Sequence, residues 1–291
     1  MTTPAPPSQR LSLNQITTKR WSVHDAAEGC ARAGIGAIAL WRDKVAEVGV
    51  AAAASAVRDA GLRVSSLCRG GFFPAADGAG RARAIDDNRR AIEEAAALGT
   101  DVLVLVCGGL PPGSRDLPGA RAMVRDGIAA VLDDAAGAGV RLGVEPLHPM
   151  YCADRSVITT LGEATDLAHE FPAAHVGVVI DAYHVWWDPR LEDEVARAGE
   201  RIVGFHICDW VVPLPEGALT GRGLPGDGHA DLARLRRAID ATGYDGPIEV
   251  EVLNEAVWDM PGDAVLRRLV TEVDGLLGEP EAGGRPQKAA R

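Results

Sequence analysis

Four residues from the middle of the chain onward have the types and positions of a metal centre. Leu142-Gly143-Val144-Glu145 and Val176-Gly177-Val178-Val179-Ile180-Asp181 are apolar runs that end on carboxylates, and Ile202-Val203-Gly204-Phe205-His206 ends on an imidazole. The pattern returns in Pro247-Ile248-Glu249-Val250-Glu251. An apolar strand that stops on a charged residue keeps its body in the core and its last side chain at the rim. Three carboxylates gathered at one rim repel one another unless protonated or neutralised, and a divalent cation neutralises them. One imidazole with three carboxylates suits Mn, Mg, Co or Zn without choosing among them. Singly, each acid is more often a cap, a surface group or an ion-pair partner; the succession of four carries the metal reading. Glu249 competes with Glu251, because residues two apart on a strand face the same side. The later position of Glu251, nearer the rim, favours it.

A second set of residues has the chemistry of ligand contact. His184 follows Asp181 by three in Asp181-Ala182-Tyr183-His184-Val185-Trp186-Trp187. A loop with His184, Trp186 and Trp187 offers polar handles and aromatic area to a polyol, with aromatic packing as the alternative. Asp209, in His206-Ile207-Cys208-Asp209-Trp210, is placed to orient a ligand or simply to cap a loop. Arg222 and Asp227, in a Gly-rich loop that is not a P-loop, suit a negative or hydroxyl-rich ligand end. His148 follows Glu145 by three and reads equally as a substrate contact or as loop packing. His24, His169 and His175 have no comparable setting. The chain has no serine nucleophile elbow, no catalytic-cysteine arrangement and no clear GxGxxG signature.

These residues need elements to hold them. Strands are expected at 11–14, 36–40, 62–67, 102–106, 140–145, 176–181, 202–206 and 248–252. Helices are expected at 22–33, 48–60, 84–98, 118–136, within 156–170, and at 191–198, 231–241 and 264–277. Glycine repeatedly separates helix from following strand, and Ser22 is placed to cap the first helix. Parallel strands require such crossovers, and eight units favour closure into a (β/α)8 TIM barrel over 11–277. The segment 69–80, with Phe72 and Phe73, reads as a lid or as a plain loop packed on its own aromatics. Segments 1–10 and 278–291 are expected to be flexible.

The chain has 291 residues, 47% of them hydrophobic, enough for one large barrel core. No apolar run approaches the roughly 20 residues that span a bilayer, and Met1 to Gln9 lacks the pattern of a secretory or mitochondrial presequence. A cytoplasmic location is the expectation. Five scattered cysteines show no CxxC pair, and the net charge of -11 without long basic runs disfavours nucleic-acid backbones as partners.

Val144-Glu145-Pro146-Leu147, Asp181-Ala182-Tyr183-His184, Gly204-Phe205-His206 and Tyr244-Asp245-Gly246-Pro247-Ile248-Glu249-Val250-Glu251 are similar to motifs of a known family. The chain resembles, over about 11–277, the xylose-isomerase-like TIM-barrel superfamily of sugar isomerases and epimerases, which also holds inosose dehydratases and endonuclease IV proteins. The resemblance implies Glu145, Asp181, His206 and Glu251 as ligands of one divalent metal, with Glu145 and Glu251 also as acid and base. It implies His184 and Arg222 as contacts to a small sugar or polyol, and assembly as a homodimer or homotetramer. It also selects Glu251 over Glu249. The endonuclease members use extra early histidines for a three-metal cluster, where this chain offers Trp41, Arg42, Cys68 and Cys107. The expected activity is therefore isomerisation or epimerisation through an enediolate. Dehydration of an inosose or keto-polyol, and a catalytically silent sugar-binding barrel, are the alternatives.

Overall fold

Apolar runs of five or six residues that are buried on both faces dictate the architecture, because both faces of a parallel sheet must be covered by the helices that connect it. The computed structural model describes residues 7–214 and 217–277. In chain order its main elements are β1 (Leu11–Asn14), α1 (Val23–Ala33), β2 (Ala37–Trp41), α2 (Arg42–Val48), α3 (Val50–Asp59), β3 (Arg63–Gly71), α4 (Gly78–Leu98), β4 (Val102–Val106), α5 (Leu117–Ala138) and β5 (Arg141–Glu145). There follow α6 (Leu161–His169), β6 (Val176–Asp181), α7 (Ala182–Val185), α8 (Leu191–Ala198), β7 (Ile202–Ile207), β8 (Asp209–Trp210), β9 (Arg222–Gly223), α9 (Leu232–Asp240), β10 (Ile248–Val250), α10 (Glu255–Trp258) and α11 (Gly262–Leu277). Strand β1 pairs in parallel with both β2 and β10, which closes the eight-stranded ring β1-β10-β7-β6-β5-β4-β3-β2. The expected TIM barrel is the fold. The two-residue strands β8 and β9 form a separate antiparallel pair.

Local chemistry sets the element boundaries. Ser22 caps α1 in a reciprocal capping box with Asp25, each side chain meeting the other residue's backbone N–H. The helix expected at 48–60 is α3, and an unexpected helix, α2, precedes it; Gly49 separates the two because its φ of +84° lies outside the helical range. The helix expected at 84–98 starts six residues earlier, since the Asp77 carboxylate accepts the Gly80 N–H and caps it. The strand expected at 62–67 runs to Gly71, and its pairing with β4 continues as Phe72 N and Phe73 N donate to the carbonyls of Val106 and Cys107. Much of the segment expected as loop or lid is therefore tied to the sheet.

Alternation along the strands divides the core into an outer layer beneath the helices and an inner plug. Leu103, Leu105, Leu142, Val144, Val178 and Ile180 belong to the outer layer. Cys68, Val102, Val104, Val179 and Val203 meet inside the ring, with Trp41 against them. The plug leaves no room beside it: a Cβ on Gly143 would come within 2.7 Å of Val179 Cγ2 and 3.0 Å of Val203 Cγ2.

Arg10, at the edge of the expected flexible N-terminal segment, is buried. Its guanidinium donates to Asp240 and to the carbonyls of Tyr244 and Gly246. Pro7–Arg10 form a 3-10 helix, while 1–6 and the expected tail, 278–291, lie outside the described residues. Among the described residues no helix is long and apolar enough to cross a membrane.

Candidate metal centre

The four strand-end residues converge. Glu145 ends β5, Asp181 ends β6, His206 lies one residue before the end of β7, and Glu251 follows β10. One ligand-type atom from each lies within 4.8 Å of the others, and all four residues are buried. Glu251 is carried one residue beyond its assigned strand because its N–H still donates to the Ile207 carbonyl. Thr17 fixes the same turn, with its hydroxyl donating to Val250 O and accepting from Val252 N.

Each side chain is aimed by a neighbour. Asp181 Oδ1 caps the short helix α7 through Tyr183 N, and that helix returns His184 to the site. Asn14 Nδ2 donates to Glu251 Oε1 at 3.3 Å, while Asn14 Oδ1 accepts from Trp41 Nε1. Arg222 NH1 donates to Asp181 Oδ2 at 2.6 Å, Glu251 Oε2 at 3.0 Å and the Glu251 carbonyl at 3.2 Å. Its guanidinium also stacks 4.8 Å from the Tyr183 ring centroid. Strand β9 presents Arg222, and Asn254 holds the Arg222 carbonyl. His184 Nδ1 accepts from His148 N, and burial presses its pKa down to about 3, so this imidazole is neutral.

His206 separates the two strand-eight candidates. Its Nδ1 faces Glu145 Oε1 at 3.4 Å and Glu251 Oε2 at 3.6 Å, while Nε2 faces Glu249 Oε2 at 3.1 Å. The Nε2 contact is short but off-line, an electrostatic contact and not an aligned hydrogen bond. Glu249 also accepts from Ser66, deeper in the barrel. Burial works against charge on Glu249, yet His206 and the serine hydroxyls hold its carboxyl below the ordinary range. Glu251 therefore stands in the cluster and Glu249 stands behind its imidazole. Both point inward, as the two-residue period requires.

The donor set fits a divalent cation. Glu145 Oε1 and His206 Nδ1 are buried without a hydrogen-bond partner and face each other. Burial first, then the charges of Glu251 and Asp181, push the Glu145 carboxyl upward, the response of an acid beside too much negative charge. Four buried carboxylates, counting Glu249, share the Arg222 guanidinium and the His206 imidazole. A cation at the cluster would offset that excess and meet the mixed oxygen and nitrogen donors it prefers.

Above the cluster opens a cavity of about 210 Å³ lined by Trp41, Cys68, Arg69, Val106, Glu145, Leu147, Arg155, His184, Leu219, Arg222, Glu251 and Leu253. It lies at the C-terminal end of the strands, where the loops can reach a ligand. A larger hollow of about 440 Å³ lies at the opposite end, among residues such as Arg63, Asp101, Arg141 and Pro247 at the strand starts. No grouped metal-type donors occur there among the described residues, so the smaller cavity is the chemical one.

Of the expected ligand contacts, His184 and Arg222 line the cavity, while His148, Trp186, Trp187 and Asp209 do not. The His148 ring packs against Trp187 and Trp210, and only its backbone N–H serves the site, by holding His184. Trp186 packs on Trp210 and faces α8 and α9. Trp187 donates to the His184 carbonyl from the rim. Asp209 accepts the N–H groups of Trp210, Gly226 and Ala230, which consumes the carboxylate in fastening a loop. Asp227 turns outward to pair with Arg268. Sequence reasoning missed Asn14, Arg69 and Arg155. Asn14 ends a recognised strand, where strand-end polarity was the available signal; Arg69 lies past the expected end of its strand at 67, and Arg155 sits in the loop already marked by Glu145 and His148.

A family model described as Xylose isomerase-like TIM barrel matches residues 27–270. A crystal structure of protein SMc04130 from Sinorhizobium meliloti 1021 superposes with a TM-score of 0.90 at 50% identity, covering 92% of this chain and 98% of that one. A 3-dehydroshikimate dehydratase of Pseudomonas aeruginosa is 31% identical over 185 residues, 62% of this chain. The chain spans only about a quarter of that relative, 26% of its length. An L-ribulose-5-phosphate 3-epimerase UlaE of Salmonella paratyphi A is 27% identical over 206 residues, 69% of this chain and 68% of the relative. With its closed eight-stranded barrel and the match over 27–270, the chain belongs to the Xylose isomerase-like TIM barrel family.

Proposed function

We propose that this protein is a divalent-metal-dependent isomerase or epimerase of a small sugar or polyol. The observation that carries the reading is the buried group of Glu145, Asp181, His206 and Glu251, with donor atoms within 4.8 Å of one another beneath a small-molecule cavity. When bound there, a divalent cation supplies Lewis acidity, stabilising negative charge that develops on a substrate oxygen. Glu145 and Glu251 are the acid and base: one takes a carbon-bound proton and the other returns it, to the opposite face for epimerisation. A base must first be within reach of its proton, and both carboxylates line the cavity. Arg222 steadies Asp181 and Glu251, and neutral His184 offers a ring nitrogen at the same wall. Similarity to an L-ribulose-5-phosphate 3-epimerase supports this reading.

Dehydration of a keto-polyol is the second reading, favoured by the 31% identity to a 3-dehydroshikimate dehydratase. It uses the same base, followed by loss of a hydroxyl as water. A mass-resolved screen of ketoses, aldoses and cyclic keto-polyols in deuterated water, with Glu251→Gln as control, separates the readings. Deuterated product of unchanged skeleton that disappears in the variant supports isomerisation or epimerisation, and loss of water selects dehydration. Specific ligand binding by metal-loaded protein without hydrogen exchange or turnover would favour a silent binding barrel.

A further inference from the structure

Two half-buried arginines flank the cavity and have no acidic partner. Arg69, near the end of β3, and Arg155, in the loop after β5, both line the cavity. Arginines elsewhere show what a satisfied guanidinium looks like here: Arg42 holds Asp87 and Glu94, and Arg222 holds Asp181 and Glu251. Among the described residues, neither Arg69 nor Arg155 has a side-chain hydrogen bond or ion pair. The other arginines in that condition, Arg63, Arg83, Arg115, Arg237 and Arg267, are exposed and solvated by water. Arg69 lies with its Cζ 4.4 Å from the centroid of Phe72, which fixes its plane and leaves its N–H edges free. Burial, together with the Arg155 charge, presses the Arg69 pKa downward, so the two cations are within electrostatic reach of each other. Two like charges held half-buried beside a cavity are relieved by an anion, and planar guanidinium donors match the oxygens of a carboxylate or phosphate.

We propose that Arg69 and Arg155 form an anion-binding pair, and that the substrate carries a carboxylate or phosphate group that these side chains hold while its reacting carbons face Glu145 and Glu251. This rests on the reading of the four-residue cluster as the reacting centre. A neutral polyol would leave the guanidinium edges of both without a charged hydrogen-bond partner, with Arg69 offset only by the more distant charges of Asp43 and Glu145. The Arg222 charge is already balanced, with NH1 holding Asp181 and Glu251 while NH2 faces His184 Nε2.

The test is calorimetric binding of three probes with one carbon skeleton, D-fructose, D-fructuronate and D-fructose 6-phosphate, to wild type, Arg69→Met, Arg155→Met and the double variant. Folding is checked by circular dichroism and cation binding is measured in parallel. Wild type is expected to bind one of the anions at least about tenfold more tightly than D-fructose, because charge-assisted hydrogen bonds outweigh neutral ones. Each single variant should lose about tenfold for that anion, and added salt should weaken only the anions. The tighter anion identifies the terminal group. Equal affinities, no binding by either anion, or a preference that survives in the folded double variant would overturn the proposal. Failure of the catalytic reading has a different signature: anion preference intact, with no turnover and no cation held by the cluster.

Discussion

Replacing Glu249 tests whether His206 is a metal ligand held from behind. Glu249 Oε2 lies 3.1 Å from His206 Nε2, while His206 Nδ1 faces Glu145 and Glu251. A metal-coordinated imidazole is neutral, so Glu249 then meets an N–H dipole. Hydrogen bonds to charged groups contribute about 1.5–3 kcal/mol and neutral ones about 0.5–1.5 kcal/mol. The Glu249 contact is off-line, which places it near the lower end. Glu249→Gln keeps an acceptor of the same shape and loses the charge, a difference of about 1–1.5 kcal/mol, or roughly tenfold in cation affinity. Glu249→Ala removes the partner and should approach the hundredfold loss typical of such positions. The assay is calorimetric titration of chelator-treated protein with Zn²⁺ or Mn²⁺, with Asp181→Asn as a direct-ligand comparison. Unchanged affinity in both Glu249 variants would refute the reasoning. So would a loss in Glu249→Gln as large as that in Asp181→Asn, since Glu249 would then be acting as a ligand.

Three further outcomes follow from the packing and the loops. Gly143→Ala puts a methyl 2.7 Å from Val179 Cγ2 and should cost about 1–3 kcal/mol by overpacking, read as a lowered midpoint in urea; an unchanged midpoint would show that the plug can yield. Burial holds the His148 pKa below its ordinary value of 6.5, so the native state resists its protonation. The stability this contributes is complete above the unfolded-state value and is lost as pH falls through it. His148→Phe should therefore gain stability relative to wild type as pH drops from 7.5 to about 5.5, and a loss instead would reverse the assignment. Asp209→Asn turns an amide donor toward backbone N–H groups that the carboxylate accepts, at a cost of about 1–3 kcal/mol. Limited proteolysis should then cut residues 211–229 faster while cation affinity stays constant; reduced cation affinity would tie Asp209 to the centre.

Strand ends were the legible part of the sequence because a two-residue period and a burial gradient leave a simple trace: apolar body, polar tip. That trace located all four clustered residues and the eight strands. The choice between Glu249 and Glu251 was only partly legible, since both obey the same period; what separates them is depth, visible once His206 is seen between them. The aromatic stretch after Asp181 left ligand contact and packing open. Helix α7 ends at Val185 and brings His184 to the cavity, while beyond its end Trp186 packs on Trp210 and Trp187 donates to the His184 carbonyl. Asp209 read as a ligand-orienting group or as a loop cap, and the cap is what forms; the sequence left the choice open because the N–H groups of Gly226 and Ala230 are distant along the chain. Arg69 was hidden by a strand that runs four residues farther than the apolar pattern suggested.

The valine plug makes the barrel a cup with one opening and not a tube. Val102, Val104, Val179 and Val203 seal the axis between the polar hollow at the strand starts and the cavity above Glu145. Whatever enters the cup must leave by the door through which it came, past Arg69, Arg155 and the rim loops. On the proposed function, product departure and the next arrival compete for one passage, and with the proposed anion pair a product that keeps the charge of its substrate must let go of the same two arginines before another turnover begins.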